Sequence, residues 1–168
     1  RLGYMLCCCG IPADKILTMT YTKAATQEMK QRFARLFGED CPNIPEFRTI
    51  NGISQKILQY FAGKMGKTLY PVADGETEGI LRQVYREVTG SYATENDLRQ
   101  MQLAISYVKN MRLKEKEIEE LETEVEEFPK IYRAYNQALR ERKRIDYDDQ
   151  MVYAIKILEQ YPQVLSYF

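Results

Sequence analysis

Apolar residues recur with two different spacings in the first third of the chain. Short runs rich in β-branched and aromatic residues occupy 15–22 and 46–50, which predicts two strands. Between these runs, over 23–37, apolar residues recur every three or four positions and predict a helix. A second helix is predicted over 53–64. The order strand, helix, strand, helix is typical of a parallel α/β unit. Two strands alone do not make a stable sheet, so we expect that strands of this sheet are missing from the sequence.

Every element predicted after about residue 75 is helical. The helical spacing covers four segments, 76–89, 94–111, 115–143 and 146–160. Thr94 and Asp97 have the spacing of a capping box, and Pro129 should kink or restart the third helix. We therefore expect an α/β protein that is mostly α, with a partial parallel sheet and an all-helical part. The expected parts are 1–70, 75–143 and 144–168.

Composition removes several kinds of chemistry. With no histidine, the chain has no Ser-His or Cys-His nucleophile pair and no His-ligated zinc. The 24 basic and 24 acidic residues balance, so a nucleic-acid surface must be a local patch. Cys7, Cys8, Cys9 and Cys41 are interpreted as small packing residues in a reducing cytoplasm, because consecutive helical positions point about 100° apart and do not converge on a metal. No run of about 18 apolar residues predicts a membrane span.

Two charged clusters stand out in the helical part. Eight glutamates between Glu115 and Glu127 are interpreted as a solvated helix face. A basic cluster follows, formed by Arg140, Arg142, Lys143 and Arg144. This cluster could bind phosphates, or it could compensate the dipole at a helix C terminus, and the sequence favours neither.

Two further motifs have a structural interpretation beside a functional one. The three acids of Asp146-Tyr147-Asp148-Asp149 could bind a metal, but carboxylates are also common at helix starts, and we favour capping. Gly66-Lys67-Thr68 ends like a phosphate-binding loop. It has Phe61 where such a loop needs glycine, and it follows a helix instead of a strand, so we reject it as a nucleotide site.

The segment from Thr20 to Met29 lies at the predicted end of the first strand. Ligands bind at strand ends in open α/β sheets, hydroxyl and free N–H groups at a helix start suit a phosphate, and Tyr21 offers a face on which a base can stack. Threonine and tyrosine are also common strand residues, so these residues alone leave a structural role open.

The same segment resembles motif Ia of UvrD/Rep/PcrA-like superfamily 1 DNA helicases, T-F-T-N-x-A-A-x-E-M. Tyr21 replaces phenylalanine, Lys23 replaces asparagine and Thr26 replaces alanine. Residues 49–53 resemble motif Ib, T-F-H-S, with Asn51 for histidine and Gly52 for serine. Residues 145–151 resemble the D-F-D-D-L helix of the family, and 159–165 resemble the stretch that leads into the Walker B strand. The motifs occur in family order.

The resemblance implies an internal fragment of an ATP-dependent 3′-to-5′ DNA helicase or translocase, between the Walker A and Walker B motifs. In family terms, 1–70 would be part of subdomain 1A, 75–143 the helical subdomain 1B, and 144–168 a helix returning to 1A. The implied contacts to single-stranded DNA are Thr20, Tyr21, Thr22, Lys23, Thr49 and Asn51. The basic cluster would then touch the duplex junction.

The resemblance also implies what the fragment needs from the rest of its parent. ATP and Mg²⁺ would be cofactors of the full-length protein, and none is expected on this chain, which should show no ATPase activity alone. No residue is assigned a catalytic, cofactor-binding or metal-binding role. The expected partners are single-stranded DNA, the duplex junction and the missing helicase subdomains, in the cytoplasm and not at a membrane. Apolar surfaces left uncovered could lead the chain to self-associate.

Two alternatives remain open at this stage. The chain could be a non-catalytic helical protein-interaction module, in which the acidic segment binds a basic partner. It could also be a piece of a helicase–nuclease subunit, whose motif Ia often lacks the usual asparagine-lysine pair.

Overall fold

The computed structural model describes residues 1–38 and 44–168, which form two compact units, Arg1–Lys56 and Ile57–Phe168. Most of the described residues are helical, and the strands form one two-stranded parallel sheet. The predicted α/β class with a mostly helical content is confirmed. None of the helices in the described ranges combines the length and apolar character needed to cross a membrane.

The first unit is built around the parallel pair β1 (Leu17–Thr20) and β2 (Glu46–Thr49). Helix α1 (Lys23–Phe37) connects to β1, and α2 (Ile50–Met65) follows β2 without a gap. A π-helix (Tyr4–Cys8) and a 3₁₀ turn (Ala13–Lys15) precede β1. The predicted helix over 23–37 is confirmed at both ends.

Aromatic side chains pack α1 against the sheet. The buried ring of Phe33 lies 4.7 Å from the ring of Phe37 and 5.8 Å from that of Phe47 on β2. Rings at these separations add about 0.5–1.5 kcal/mol each beyond the apolar area that they bury. Gly3 also lies against this group, because a Cβ atom there would clash with the Phe37 ring.

The cysteines do not behave as the sequence suggested. Cys7, Cys8 and Cys9 are free and exposed, so the expectation that they pack as small apolar residues is wrong for all three. They lie at the end of the π-helix, which buries none of its residues. Cys41 lies outside the described residues.

The second unit is helical, and buried side chains from four of its helices form a core cluster with Ala73 and Val125. Its elements are α3 (Thr77–Thr89), α4 (Glu95–Met111), α5 (Glu115–Glu119), α6 (Phe128–Glu141), α7 (Tyr147–Gln160) and α8 (Pro162–Leu165). Met101 of α4 and Ile131 of α6 are completely buried, and Leu81 of α3 and Phe128 of α6 are almost completely buried. The capping box predicted at the start of α4 is present, since Thr94 Oγ1 accepts from Asp97 N and Asp97 Oδ2 accepts from Thr94 N.

The predicted helical segment 115–143 forms two helices, and the expected restart at Pro129 is confirmed. Helix α5 ends at Glu119, and α6 begins at Phe128 with Pro129 in its first turn. Proline is tolerated there because its missing N–H has no intrahelical partner in any case. A helix through the acidic run would also set like charges four positions apart, which destabilises it. The acidic run is therefore a five-residue helix followed by a non-helical stretch with bends and turns, and not one solvated helix face.

Candidate nucleic-acid interface

Two strand-to-helix junctions lie side by side in the first unit. The parallel register pairs Thr20, the last residue of β1, with Thr49, the last residue of β2. Because both strands run the same way, the helices that follow them start at the same edge of the sheet. The segments Thr20-Tyr21-Thr22 and Thr49-Ile50-Asn51 therefore lie side by side. We call this edge the junction edge.

Three threonines shape the first junction. Thr22 is the N-cap of α1, where its Oγ1 accepts from the Ala25 N–H at 3.1 Å. The hydroxyls of Thr20 and Thr26 lie 2.5 Å apart, and each is 3.0 Å from the Thr22 carbonyl oxygen. These groups thus hold the turn between β1 and α1, and they define the direction in which the chain leaves the strand.

The second junction has a similar cap. Thr49 Oγ1 accepts from the Gly52 N–H at 2.9 Å. A Cβ atom on residue 52 would lie 3.0 Å from that oxygen, so glycine allows the close approach. Asn51 is partly buried, and its Oδ1 has no hydrogen-bond partner within 1–38 and 44–168. An unpaired buried polar atom is costly, and this one is an acceptor that only an N–H or O–H group could satisfy.

Two side chains at the first junction point into solvent. Tyr21 is 89% exposed, and the neighbouring Lys23 is also exposed. The edge also carries the positive ends of two helix dipoles, those of α1 and α2, whose first N–H groups have no intrahelical partners. The arrangement combines an aromatic face, a cation and two helix N termini, and such groups bind bases and phosphates.

The sheet contains an acidic residue, Glu46, at the end opposite to the junction edge. Glu46 begins β2, three residues and so roughly 10 Å from Thr49. Burial alone would raise the pKa of Glu46, but hydrogen bonds from Arg48 and Lys56 outweigh it and lower that pKa. The Glu46 carboxylate is thus charged, and Arg48 and Lys56 compensate its charge at a distance from the junction edge.

The basic cluster lies in the second unit, and its arginines already contact the protein. Arg140 Nε donates to the Asn136 carbonyl at 3.2 Å, and Arg142 Nη1 donates to the Ala138 carbonyl at 3.1 Å. Arg144 forms an ion pair with Glu76. Lys143 is exposed, with a left-handed φ of 52° just beyond α6. The Arg142 contact supports compensation at the C terminus of α6, since Ala138 carries one of the last four carbonyls of that helix.

The acidic motif caps a helix, as the sequence favoured. Asp146 is the N-cap of α7, with Oδ1 accepting from the Asp149 N–H at 2.8 Å. Asp148 accepts from Ser106 and Asn110 on α4. No group of three metal-ligating side chains suited to an ion occurs within the described ranges.

Sequence reasoning missed the residue that neutralises this motif. Lys109 of α4 is buried, with Nζ 2.7 Å from Asp146 Oδ2 and 2.9 Å from Asp149 Oδ1. Burial alone would lower the pKa of Lys109, but the two carboxylates outweigh it and raise that pKa. A local signal existed, since Lys109 continues the apolar spacing of Leu98, Met101 and Ile105 on α4.

The segment Gly66-Lys67-Thr68 does not fit the phosphates of a bound nucleotide. Helix α2 ends at Met65, and Gly66-Lys67-Thr68 follows it without a preceding strand. Lys67 Nζ lies 5.5 Å from the centre of the Phe61 ring, a cation–π contact. A phosphate-binding loop needs a glycine-rich turn between a strand and a helix. This segment follows a helix, and no helix begins directly after it.

Two parallel strands followed by helices, with an exposed tyrosine and a lysine at the same edge, make this edge a candidate surface for binding anions. The whole chain, residues 1–168, matches the family model described as the UvrD/REP helicase N-terminal domain. The chain belongs to this family, which confirms the resemblance seen in its motifs.

Relatives over the full length of the chain carry helicase names. The chain is 25% identical over 175 residues to the ATP-dependent DNA helicase UvrD1 of Mycobacterium leprae, covering 100% of this chain and 22% of the relative. It is 24% identical to the ATP-dependent DNA helicase PcrA of Staphylococcus epidermidis and 22% identical to that of Staphylococcus aureus. Each of those alignments covers 100% of this chain and 23% of the relative. The chain thus spans less than a quarter of the length of these relatives.

Proposed function

We propose that the junction edge is part of the track on which an ATP-dependent 3′-to-5′ DNA helicase or translocase holds single-stranded DNA. The observation that supports it most strongly is the pairing of Thr20 with Thr49 beside an exposed Tyr21. Membership of the UvrD/REP family supports the helicase class, and the relatives named as ATP-dependent DNA helicases support ATP as the energy source.

The candidate contacts divide by chemistry. Tyr21 stacks against a base, which is tolerant of sequence because every base has a π-face. Lys23 and the N termini of α1 and α2 attract the phosphate backbone. Asn51 donates its amide N–H to a phosphate or sugar oxygen. Thr20, Thr22 and Thr49 act mainly by holding the two turns, because their hydroxyls already have partners within the chain.

The remaining parts of the proposal extend to the parent protein. Residues 1–70 belong to subdomain 1A, 75–143 form subdomain 1B, and 144–168 return to 1A. Lys143 and the arginines of the basic cluster touch the duplex junction. ATP and Mg²⁺ bind through residues outside this chain, since Gly66-Lys67-Thr68 does not fit a phosphate, and the chain alone does not hydrolyse ATP.

Fluorescence anisotropy with a labelled oligothymidine tests the track. We expect salt-sensitive binding that weakens about tenfold in Tyr21→Ala, because a base–aromatic stack contributes about 1–3 kcal/mol. Tyr92→Ala is the matched control, since Tyr92 is 75% exposed but lies in the second unit. Equal affinity of the wild-type chain and Tyr21→Ala would reject the stacking role of Tyr21.

A further inference from the structure

Helix α4 exposes an apolar stripe on its outer side. Leu103, Tyr107 and Met111 recur every four positions and are 61%, 50% and 59% exposed. The opposite side of α4 is buried through Leu98, Met101, Ile105 and Val108. The helix therefore carries more apolar surface than its own core uses. Contiguous exposed apolar patches of this kind mark interaction sites.

The stripe borders a groove whose other wall is acidic. A cavity of about 430 Å³ is lined by Leu103, Ala104, Tyr107, Glu122, Glu124 and Val125, among others. Ala104 and Val125 reach the core and form an apolar floor. Leu103 and Tyr107 form one exposed wall, and Glu122 and Glu124 form the other. We call this the α4 groove, and all of it belongs to the second unit.

The carboxylates of the groove are available to a partner. Other glutamates of the acidic run have cations nearby: Glu115 and Glu119 pair with Arg133, and Glu127 pairs with Lys130. Within residues 1–38 and 44–168, no ion pair joins Glu122 or Glu124 to a cation. The stretch from Lys114 to Glu127 holds eight glutamates against two lysines. DNA, as a polyanion, is repelled from such a surface.

We propose that the α4 groove docks a basic amphipathic helix of a partner protein. An apolar groove accepts the apolar face of a helix through side chains spaced three or four residues apart. The acidic wall selects lysine and arginine at the margin of that face and excludes acidic segments. This surface is separate in the sequence from the junction edge, so the proposal does not depend on the DNA track.

The test uses the whole 168-residue chain and a labelled synthetic peptide of about 18 leucine and lysine residues, patterned as an amphipathic helix. A scrambled peptide of equal composition has the same charge but no apolar face. Fluorescence anisotropy should show binding of the patterned peptide and about tenfold weaker binding of the scrambled one. Equal binding of the two peptides would overturn the proposal, because charge alone would then explain the contact.

Variants separate the two walls. The double variant Leu103→Ala with Tyr107→Ala should weaken binding about tenfold, as loss of an apolar anchor does. Glu122→Gln with Glu124→Gln should weaken it most at low salt, where charge pairs act most strongly. The matched controls are Ile155→Ala, an exposed apolar residue on α7, and Glu87→Gln, an exposed acid on α3, and both should bind as wild type.

Two results would contradict the groove as a peptide site. Wild-type affinity in both double variants, with unchanged circular dichroism spectra, would show that the peptide binds elsewhere. Sedimentation velocity tests a second copy of the chain as the occupant. The proposal fails if three results occur together: the chain self-associates, the double variant Leu103→Ala with Tyr107→Ala abolishes that association, and the peptide does not bind. The groove would then be an interface between two copies of the chain.

Discussion

The buried ion pair of Lys109 makes the strongest prediction about stability. Replacement by methionine keeps the length of the side chain and its helix propensity but removes the charge. Two carboxylates would remain, Asp146 and Asp149, whose side chains are largely buried at the N terminus of α7. Asp146 would keep the Asp149 N–H at 2.8 Å and the Tyr135 hydroxyl at 3.1 Å. Those bonds do not replace a cation.

The expected cost follows from the geometry. Removal of one partner from a buried ion pair destabilises a protein by roughly 3–5 kcal/mol, because the other charge stays buried without compensation. Lys109 contacts two carboxylates at 2.7 and 2.9 Å with a side chain only 4% exposed, so the upper part of that range applies. Lys130→Met is the control, because Lys130 and Glu127 form an exposed pair, and such pairs contribute about 0–1 kcal/mol.

The pH dependence provides an independent check. Burial raises the pKa of Asp149 even with Lys109 present, and loss of Lys109 should raise that pKa further. A carboxyl group whose folded pKa exceeds its unfolded value of about 3.9 stabilises the fold when protonated. The deficit of Lys109→Met should therefore shrink as the pH falls from neutral through the raised pKa of Asp149.

Urea unfolding followed by circular dichroism, at neutral and at acidic pH, measures both effects. A loss below about 1 kcal/mol at neutral pH would refute the reasoning, since the pair would then behave as if it were exposed. A deficit that grows on acidification would refute the assignment of Asp149 as the group left charged.

Three further predictions concern the junction edge and the helix ends. Thr22→Ala should destabilise the first unit by about 1 kcal/mol through loss of the α1 N-cap, whereas Thr22→Ser should retain the cap, as urea unfolding would show. Lys23→Ala should lower the slope of log affinity against log salt for oligothymidine by about 0.7, and an unchanged slope would exclude a phosphate contact. Gly90→Ala should cost about 1 kcal/mol, because Gly90 ends α3 with φ 76°, and thermal unfolding would measure the loss.

Local signals explain why parts of the fold could be predicted. Helix α1 has a threonine cap at Thr22 and is followed by Gly38, whose φ is 83°, so both ends are encoded by the sequence of this segment. The junction edge was predictable for a similar reason. The carboxyl ends of parallel strands lie at the same edge of a sheet, so motifs at the ends of two neighbouring parallel strands lie close together.

Long-range contacts explain the failures. Helix α5 ends after Glu119, and both Ile118 and Val125 are buried in the core on either side of this break. The spacing of apolar residues over 115–143 does not predict the turn between them. Lys109 and Asp146 are 37 residues apart, so their ion pair follows from the packing of α4 against α7. The exposure of Cys7 to Cys9 is likewise set by what the surrounding chain leaves uncovered.

Photocrosslinking to an oligonucleotide that carries 5-iodouracil tests the central claim most directly, because it identifies the side chains that lie against the bases. After digestion with trypsin, mass spectrometry should find the crosslink in the segment between Lys15 and Lys23, at Tyr21. Crosslinks confined to other segments, such as the one that contains Tyr92, would contradict the assignment of the junction edge to single-stranded DNA.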